Sequence, residues 1–247
     1  MKLLGTLVLS LLLAGLCPTA AEGETSGSNL LAPGIYGSQL SLEGGETLTY
    51  AFSMPALEPG QRVPLILALH YGGSPSRGKG GAYLKVLVEP GLRDLGGIIV
   101  APDCPGEGWT DPRSETAVLA LLDHVMQKWP VDPERTAVTG YSMGAMGTWY
   151  MAQEHPERFR AAIPMAGAPE QDKPVTIPVY AIHSDHDEIV RAGPARSAVK
   201  AMRREGVEAK FVVVFDGPSH YRFADYVLSL RRSMEWLQKV WSEPKAP

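Results

Sequence analysis

The sequence predicts an α/β fold, a doubly wound and mostly parallel sheet with helices on both faces. Three observations point there. Short apolar runs alternate with stretches of helical spacing along most of the chain, the order that builds parallel sheets. Two runs, Leu65-Ile66-Leu67-Ala68-Leu69 and Phe211-Val212-Val213-Val214-Phe215, are apolar at every position, as strands covered on both faces are. The residues best suited to chemistry fall just after strands, where open parallel sheets bind their ligands.

Taken in order, the chain opens with Lys2, an apolar run from Leu3 to Leu16 and the small residues Thr19, Ala20 and Ala21. This is the pattern of a secretory signal peptide, 1–21, too short in its apolar part for a comfortable membrane span. An uncleaved anchor is the competing reading. Lipidation of Cys17 would need a small residue before it, where Leu16 stands. A polar leader, 22–29, follows. The expected strands are then Leu48–Met54, Val63–Leu69, Gly97–Ala101, Thr136–Thr139, Ala161–Met165, Val179–Ile182 and Phe211–Phe215. The expected helices are Ser114–Trp129, Met143–Glu154, Pro194–Glu205 and Tyr221–Trp241. With no repeat or later linker, one domain over 30–242 and a short tail, 243–247, account for the rest.

Bulk properties narrow the function. In 247 residues, 45% are apolar, enough for a large core, and the net charge is -4 with no run of one sign. That excludes the basic patch a nucleic-acid surface needs. No second apolar stretch is long enough for stable membrane insertion. Of the two cysteines, cleavage near Ala21 would leave only Cys104, so the exported chain would have no disulfide and would rest on its core.

Gly140-Tyr141-Ser142-Met143-Gly144 fits G-x-S-x-G. The pattern alone is weak, but here a strand runs straight into it and a helix straight out, the setting of a nucleophile elbow. A serine hydroxyl needs a base. Among six histidines, His220 follows the last strand in the loop Asp216-Gly217-Pro218-Ser219-His220, whereas His155 sits at a helix end and His124 within a helix. The acid belongs in His183-Ser184-Asp185-His186-Asp187-Glu188-Ile189-Val190. Asp185 and Asp187 compete there and periodicity does not choose between them, although Asp187 lies deeper in the loop. The same loop could be read as a metal site, with His183, Asp185, His186 and Asp187 as ligands, but their spacing follows no familiar structural zinc pattern. An oxyanion needs donors: the N–H of Met143, and one from His70-Tyr71-Gly72-Gly73 after the second expected strand, from Tyr71 or Gly72.

Together these residues resemble the α/β-hydrolase superfamily. More narrowly, Asp132-Pro133-Glu134-Arg135, Ser142 through Trp149 and His155-Pro156-Glu157-Arg158-Phe159 are similar to the prolyl-oligopeptidase-like and polyhydroxybutyrate-depolymerase-like branch, with feruloyl and acetyl-xylan esterases as neighbours. The resemblance covers about residues 60 to 225. It implies the α/β-hydrolase fold, Ser142 as nucleophile, Asp187 as acid, His220 as base, and Met143 with Tyr71 or Gly72 as oxyanion donors. Tyr71 and Ala145 stand where many members have Gly.

The segment Gly167 to Ile177 has no room for a large lid, so an open site is expected. Trp109 is a candidate for lining the substrate pocket, with a packing role as the alternative, and Arg77 and Lys79 read as solvated loop charges. The expected reaction is hydrolysis of short or soluble carboxylic esters, free or linked to a polysaccharide, without cofactor or metal. A serine peptidase is the first alternative. A non-catalytic exported binding protein is the second.

Overall fold

The structure is a computed structural model and describes residues 31–73, 77–170, 173–214 and 216–244. The signal segment and leader expected at 1–29 lie outside the described residues, as do 245–247 of the expected tail. From Leu31 onward the chain forms one compact unit.

Its strands are β1 (Gly34–Ser41), β2 (Thr47–Met54), β3 (Val63–Leu69), β4 (Ile98–Pro102), β5 (Val131–Tyr141), β6 (Ala161–Met165), β7 (Val179–His183) and β8 (Ala209–Val213). They form one sheet in the order β1-β2-β4-β3-β5-β6-β7-β8. β1 and β2 pair antiparallel, β2 joins β4 antiparallel, and every pairing from β4 to β8 is parallel. The helices are α1 (Lys79–Tyr83), continued by a π-helical turn (Leu84–Val88) and α2 (Glu89–Leu92), then α3 (Pro112–Lys128), α4 (Met143–Glu154), α5 (Ala192–Arg204) and α6 (Val227–Ser242).

The strand period of two explains the two-sided core. On β3, Leu65, Leu67 and Leu69 join a cluster with Val118 and Leu121 of α3, Trp149 of α4 and Val199 of α5. Ile66 and Ala68 point the other way, to Leu84, Leu87 and Leu92 beside α1 and α2 and to Leu230 and Leu237 of α6. α3 starts where Asp111 accepts the N–H of Arg113 at 2.9 Å and Pro112 opens the first turn, a cap and a pre-set φ acting together.

Several expected elements shift. The last strand lies two residues earlier than Phe211–Phe215, and it is not covered on both faces. It is an edge strand paired only with β7, so Phe211 and Val212 are half-buried and Val213 is exposed. β5 begins several residues before the expected Thr136. The expected terminal helix is broken into a 3-10 turn at Phe223–Tyr226 and α6. β1 and the helical stretch from Lys79 were not anticipated.

The topology positions the site. β4 and β5 lie on opposite sides of β3, so the chain reverses its winding between β3 and β5. Loops leaving those two neighbouring strands part in opposite directions and leave a crevice at their carboxyl ends. Ser142 follows β5 and His70 follows β3, on either side of it.

Candidate active site

Ser142 stands between β5 and α4 with φ 55° and ψ -116°, a conformation that costs a non-glycine residue on the order of 1–3 kcal/mol. The surroundings hold it there. Its N–H donates to the Met165 carbonyl at 2.9 Å, and its own carbonyl accepts from Ala145 and Met146 at 2.8 and 3.1 Å. The flanking glycines permit the close approach. A Cβ on Gly140 would lie 2.1 Å from the Gly144 carbonyl oxygen, and one on Gly144 would lie 1.9 Å from that of Leu69.

Ser142 Oγ is 2.8 Å from Nε2 of His220, whose Nδ1 is 2.7 Å from Oδ2 of Asp187. The Asp187 side chain has no exposed surface. Its Oδ1 accepts the N–H groups of Ile189 and Val190 at 3.0 and 2.7 Å, which fold the acid loop around the carboxylate and leave Oδ2 for the imidazole. The His220 N–H donates to Glu188 at 3.2 Å, and its carbonyl accepts the Tyr141 hydroxyl at 2.8 Å. His220 is therefore held through its ring and through both backbone polar groups.

The competing aspartate points elsewhere. Asp185 pairs with Arg196 at 2.6 Å, and that guanidinium lies over the Phe211 ring. His186 turns to the Gly217 carbonyl, 3.2 Å from its Nδ1. Of the four residues of the metal reading, Asp185 and His186 thus turn away from the other two, and among the described residues no three His, Cys, Asp or Glu side chains gather as a ligand set. His183 is buried behind Asp187. Its Nε2 is 2.8 Å from the Val190 carbonyl, which requires an N–H there, and 3.5 Å from Asp187 Oδ2. Burial lowers its pKa, and Nδ1 has no partner.

On the other side of the crevice, Met143 is the first residue of α4, so its N–H has no partner within the helix. The loop after β3 comes up against it. A Cβ on Gly72 would lie 3.5 Å from that of Met143. His70 ties this loop down. With Nδ1 2.7 Å from the Tyr71 carbonyl, its Nε2 accepts the Cys104 N–H at 3.0 Å, and its carbonyl accepts the Trp109 indole N–H at 2.8 Å. Both ring contacts fit only a neutral imidazole protonated at Nδ1, and burial lowers the pKa in the same direction.

Comparison with known proteins agrees with this architecture. Residues 108–228 match the dienelactone hydrolase family. An acetylxylan esterase of Coprinopsis cinerea is 37% identical over 78 residues, 32% of this chain and 20% of that protein. A thermostable esterase superposes with a TM-score of 0.70 at 24% identity, over 83% of this chain and 62% of the other. A ferulic acid esterase superposes at 0.66 and 18% identity, over 84% of this chain and 98% of the other. This chain has the α/β-hydrolase fold. It spans about a fifth of the acetylxylan esterase and under two thirds of the thermostable esterase.

In this fold Trp109 is chiefly a packing residue, although it also borders the depression beside Met143. It is 1% exposed. Its indole is bound to His70, and its Cβ lies 2.3 Å from where a Cβ on Gly147 of α4 would be. The tryptophan is a wedge between the loop after β3 and α4. Next to Met143 an open depression of about 380 Å³ is lined by Gly108, Trp109, Thr110, Met143 and Met146, with Glu107 and Glu170 also bordering it. A larger cavity, about 580 Å³, is lined by Arg160, Pro178 and Val207, which precede β6, β7 and β8 and so belong to the opposite end of the sheet.

Sequence reasoning did not anticipate Tyr141, His183 or the clamp made by His70. The only available signal was position: Tyr141 lies inside the G-x-S-x-G motif, and His183 ends a strand beside the acid loop.

Proposed function

We propose that this protein hydrolyses carboxylic esters through an acyl-enzyme. The observation that carries the reading is the continuous contact from Ser142 Oγ through His220 to buried Asp187, at 2.8 and 2.7 Å. In this reading His220 Nε2 takes the Ser142 proton as Oγ attacks the ester carbonyl. The tetrahedral oxyanion accepts N–H groups from Met143 and from Tyr71 or Gly72. Its collapse breaks the ester bond, and the departing alkoxide takes the proton from His220. A water molecule then gives a proton to His220 and attacks the acyl carbonyl. The second collapse frees the carboxylic acid and returns the proton to Ser142. Asp187 fixes the tautomer and stabilises the imidazolium that forms in each half-reaction.

The substrates of this reading are short or soluble esters, including esters attached to polysaccharide, in keeping with relatives named as esterases. Export is a further part of it, supported by the charged, apolar and small residues of 1–21. N-terminal sequencing of the exported protein should begin near Ala21 or Glu22, and an intact Met1 would count against export.

The test of the reaction is a panel of p-nitrophenyl esters set against aminoacyl-nitroanilides. Ester turnover is expected, with loss of about a million-fold in Ser142→Ala and an unchanged circular dichroism spectrum. Turnover of the anilides alone would replace the esterase reading with a peptidase. A wild-type protein that neither turns over nor reacts with a fluorophosphonate would make it a binding protein.

A further inference from the structure

We propose that Tyr141 and Tyr226 act as one positioning unit that sets the His220 loop against the Asp187 loop. These two loops come from different crossovers. The acid follows β7 and the base follows β8, and nothing in the covalent chain keeps them in register. The loops touch directly through Glu188 and His220 and through His186 and Gly217, and the contact between His220 and Asp187 depends besides on what lies beneath both.

Beneath them lies a tyrosine pair. Tyr141 ends β5, is 2% exposed, and donates its hydroxyl to the His220 carbonyl at 2.8 Å. Tyr226 is fully buried at the entrance to α6, and its oxygen accepts the Ser184 N–H at 3.1 Å. The two rings meet edge to face at 5.0 Å. Tyr226 thus accepts at the root of the acid loop, Tyr141 donates to the backbone of the base, and the ring contact joins the two anchors. Burial keeps both phenols protonated, with Tyr226 pushed up to about 12, so the Tyr141 donor persists across the neutral range.

Packing points the same way. The Tyr141 ring lies 5.5 Å from the His220 ring and 5.9 Å from Phe223, which in turn packs on Tyr71 of the oxyanion-side loop at 4.9 Å. The residue before the nucleophile thus touches the base, the support of the acid, and a contact leading to the oxyanion side. Neither tyrosine approaches the reacting atoms with its hydroxyl, so both are positioning residues.

This inference rests on the esterase reading, and its test separates the two. Tyr141→Phe, Tyr226→Phe and the double variant keep the rings and remove only the hydroxyls. Their kcat and KM on a p-nitrophenyl ester, their second-order rates of fluorophosphonate labelling and their melting temperatures are measured beside wild type. Each single variant should lose about tenfold in kcat and in labelling rate with KM unchanged, since one buried hydrogen bond is at stake. The double variant should be no slower than the worse single one, because losing either anchor already frees one loop from the ring pair. Should one variant fail to fold, the other carries the test alone through its kcat and labelling rate. Full kcat and labelling rate in a folded single variant overturns the inference while wild-type turnover keeps the esterase reading. Multiplying losses in the double variant overturn the claim of one unit. A wild type that neither turns over nor labels overturns both readings.

Discussion

Asp187 and Asp185 carry the same charge two residues apart, and their surroundings differ in almost every other respect. Asp187 is enclosed and receives two backbone N–H groups and an imidazole, whereas the Asp185 carboxylate is half exposed and paired with Arg196. An exposed pair of that kind is worth at most about 1 kcal/mol. Asp187→Asn should therefore lower turnover by about ten-thousand-fold with the fold intact, through presentation of the wrong imidazole tautomer. Asp185→Asn should cost less than about threefold, the effect of a surface pair. Steady-state rates near neutral pH, each with a melting temperature, check the pair, and a crippled Asp185→Asn beside an active Asp187→Asn would reverse the assignment. The buried histidines make a second prediction. Burial lowers the pKa of His70 and His183 from 6.5, so the folded state keeps them neutral while the unfolded chain takes up protons as pH falls past 6.5. Stability is therefore whole above that value and declines as pH falls through the folded-state pKa values. The melting temperature should drop as the solution is taken from about pH 8 to about pH 5, and less steeply in His183→Gln, which removes one of the two proton sites. Parallel slopes for variant and wild type would remove His183 from the account.

Among the elements, the join of β5 to α4 is the tightest. Gly140 lies against the backbone of Gly144, and Gly144 against that of Leu69, so a methyl group at either position meets carbonyl oxygens that have no rotamer to yield. Gly140→Ala should destabilise the protein by about 1–3 kcal/mol or more, read as a lower urea midpoint with an unchanged slope. An unshifted midpoint would mean that the helix can move off the sheet freely. The same closeness explains which elements were legible in the sequence. β3 and β6 are found at the bounds their apolar runs predict, because each buries an uninterrupted set of side chains, and α4 keeps its expected bounds with most of its residues buried. The helical stretch after Lys79 was not legible. Tyr83, Leu84, Leu87, Val88 and Leu92 are buried there, but a π-helical turn breaks the 3.6-residue period. Gly80 and Gly91 resemble loop residues in sequence, yet each is present because a neighbour comes too close for a Cβ, the Ala101 carbonyl for one and Leu230 for the other. β8 misled for the opposite reason. Its run of valines resembles a central strand, and the edge position that exposes Val213 depends on partners far away in sequence.

At the scale of the whole molecule, the connection from β6 to β7 contains no helix among the described residues, and the depression beside Met143 is open. Rates on a sparingly soluble ester should therefore rise smoothly through its solubility limit, and a sharp increase when an interface forms would point to a moving cover over the site. The sequence by itself determined the parallel, two-faced sheet, because strand period and apolar content act locally and survive any arrangement of the rest. It also located the turn that holds Ser142, because an elbow needs its glycines and its flanking strand and helix within one continuous segment. Which carboxylate meets His220, the burial of Trp109, and the tyrosines beneath the base were decided only by the tertiary structure. Each depends on loops from separate crossovers meeting across the carboxyl ends of the strands. The distances there are set by strand order and by backbone hydrogen bonds that no stretch of sequence contains.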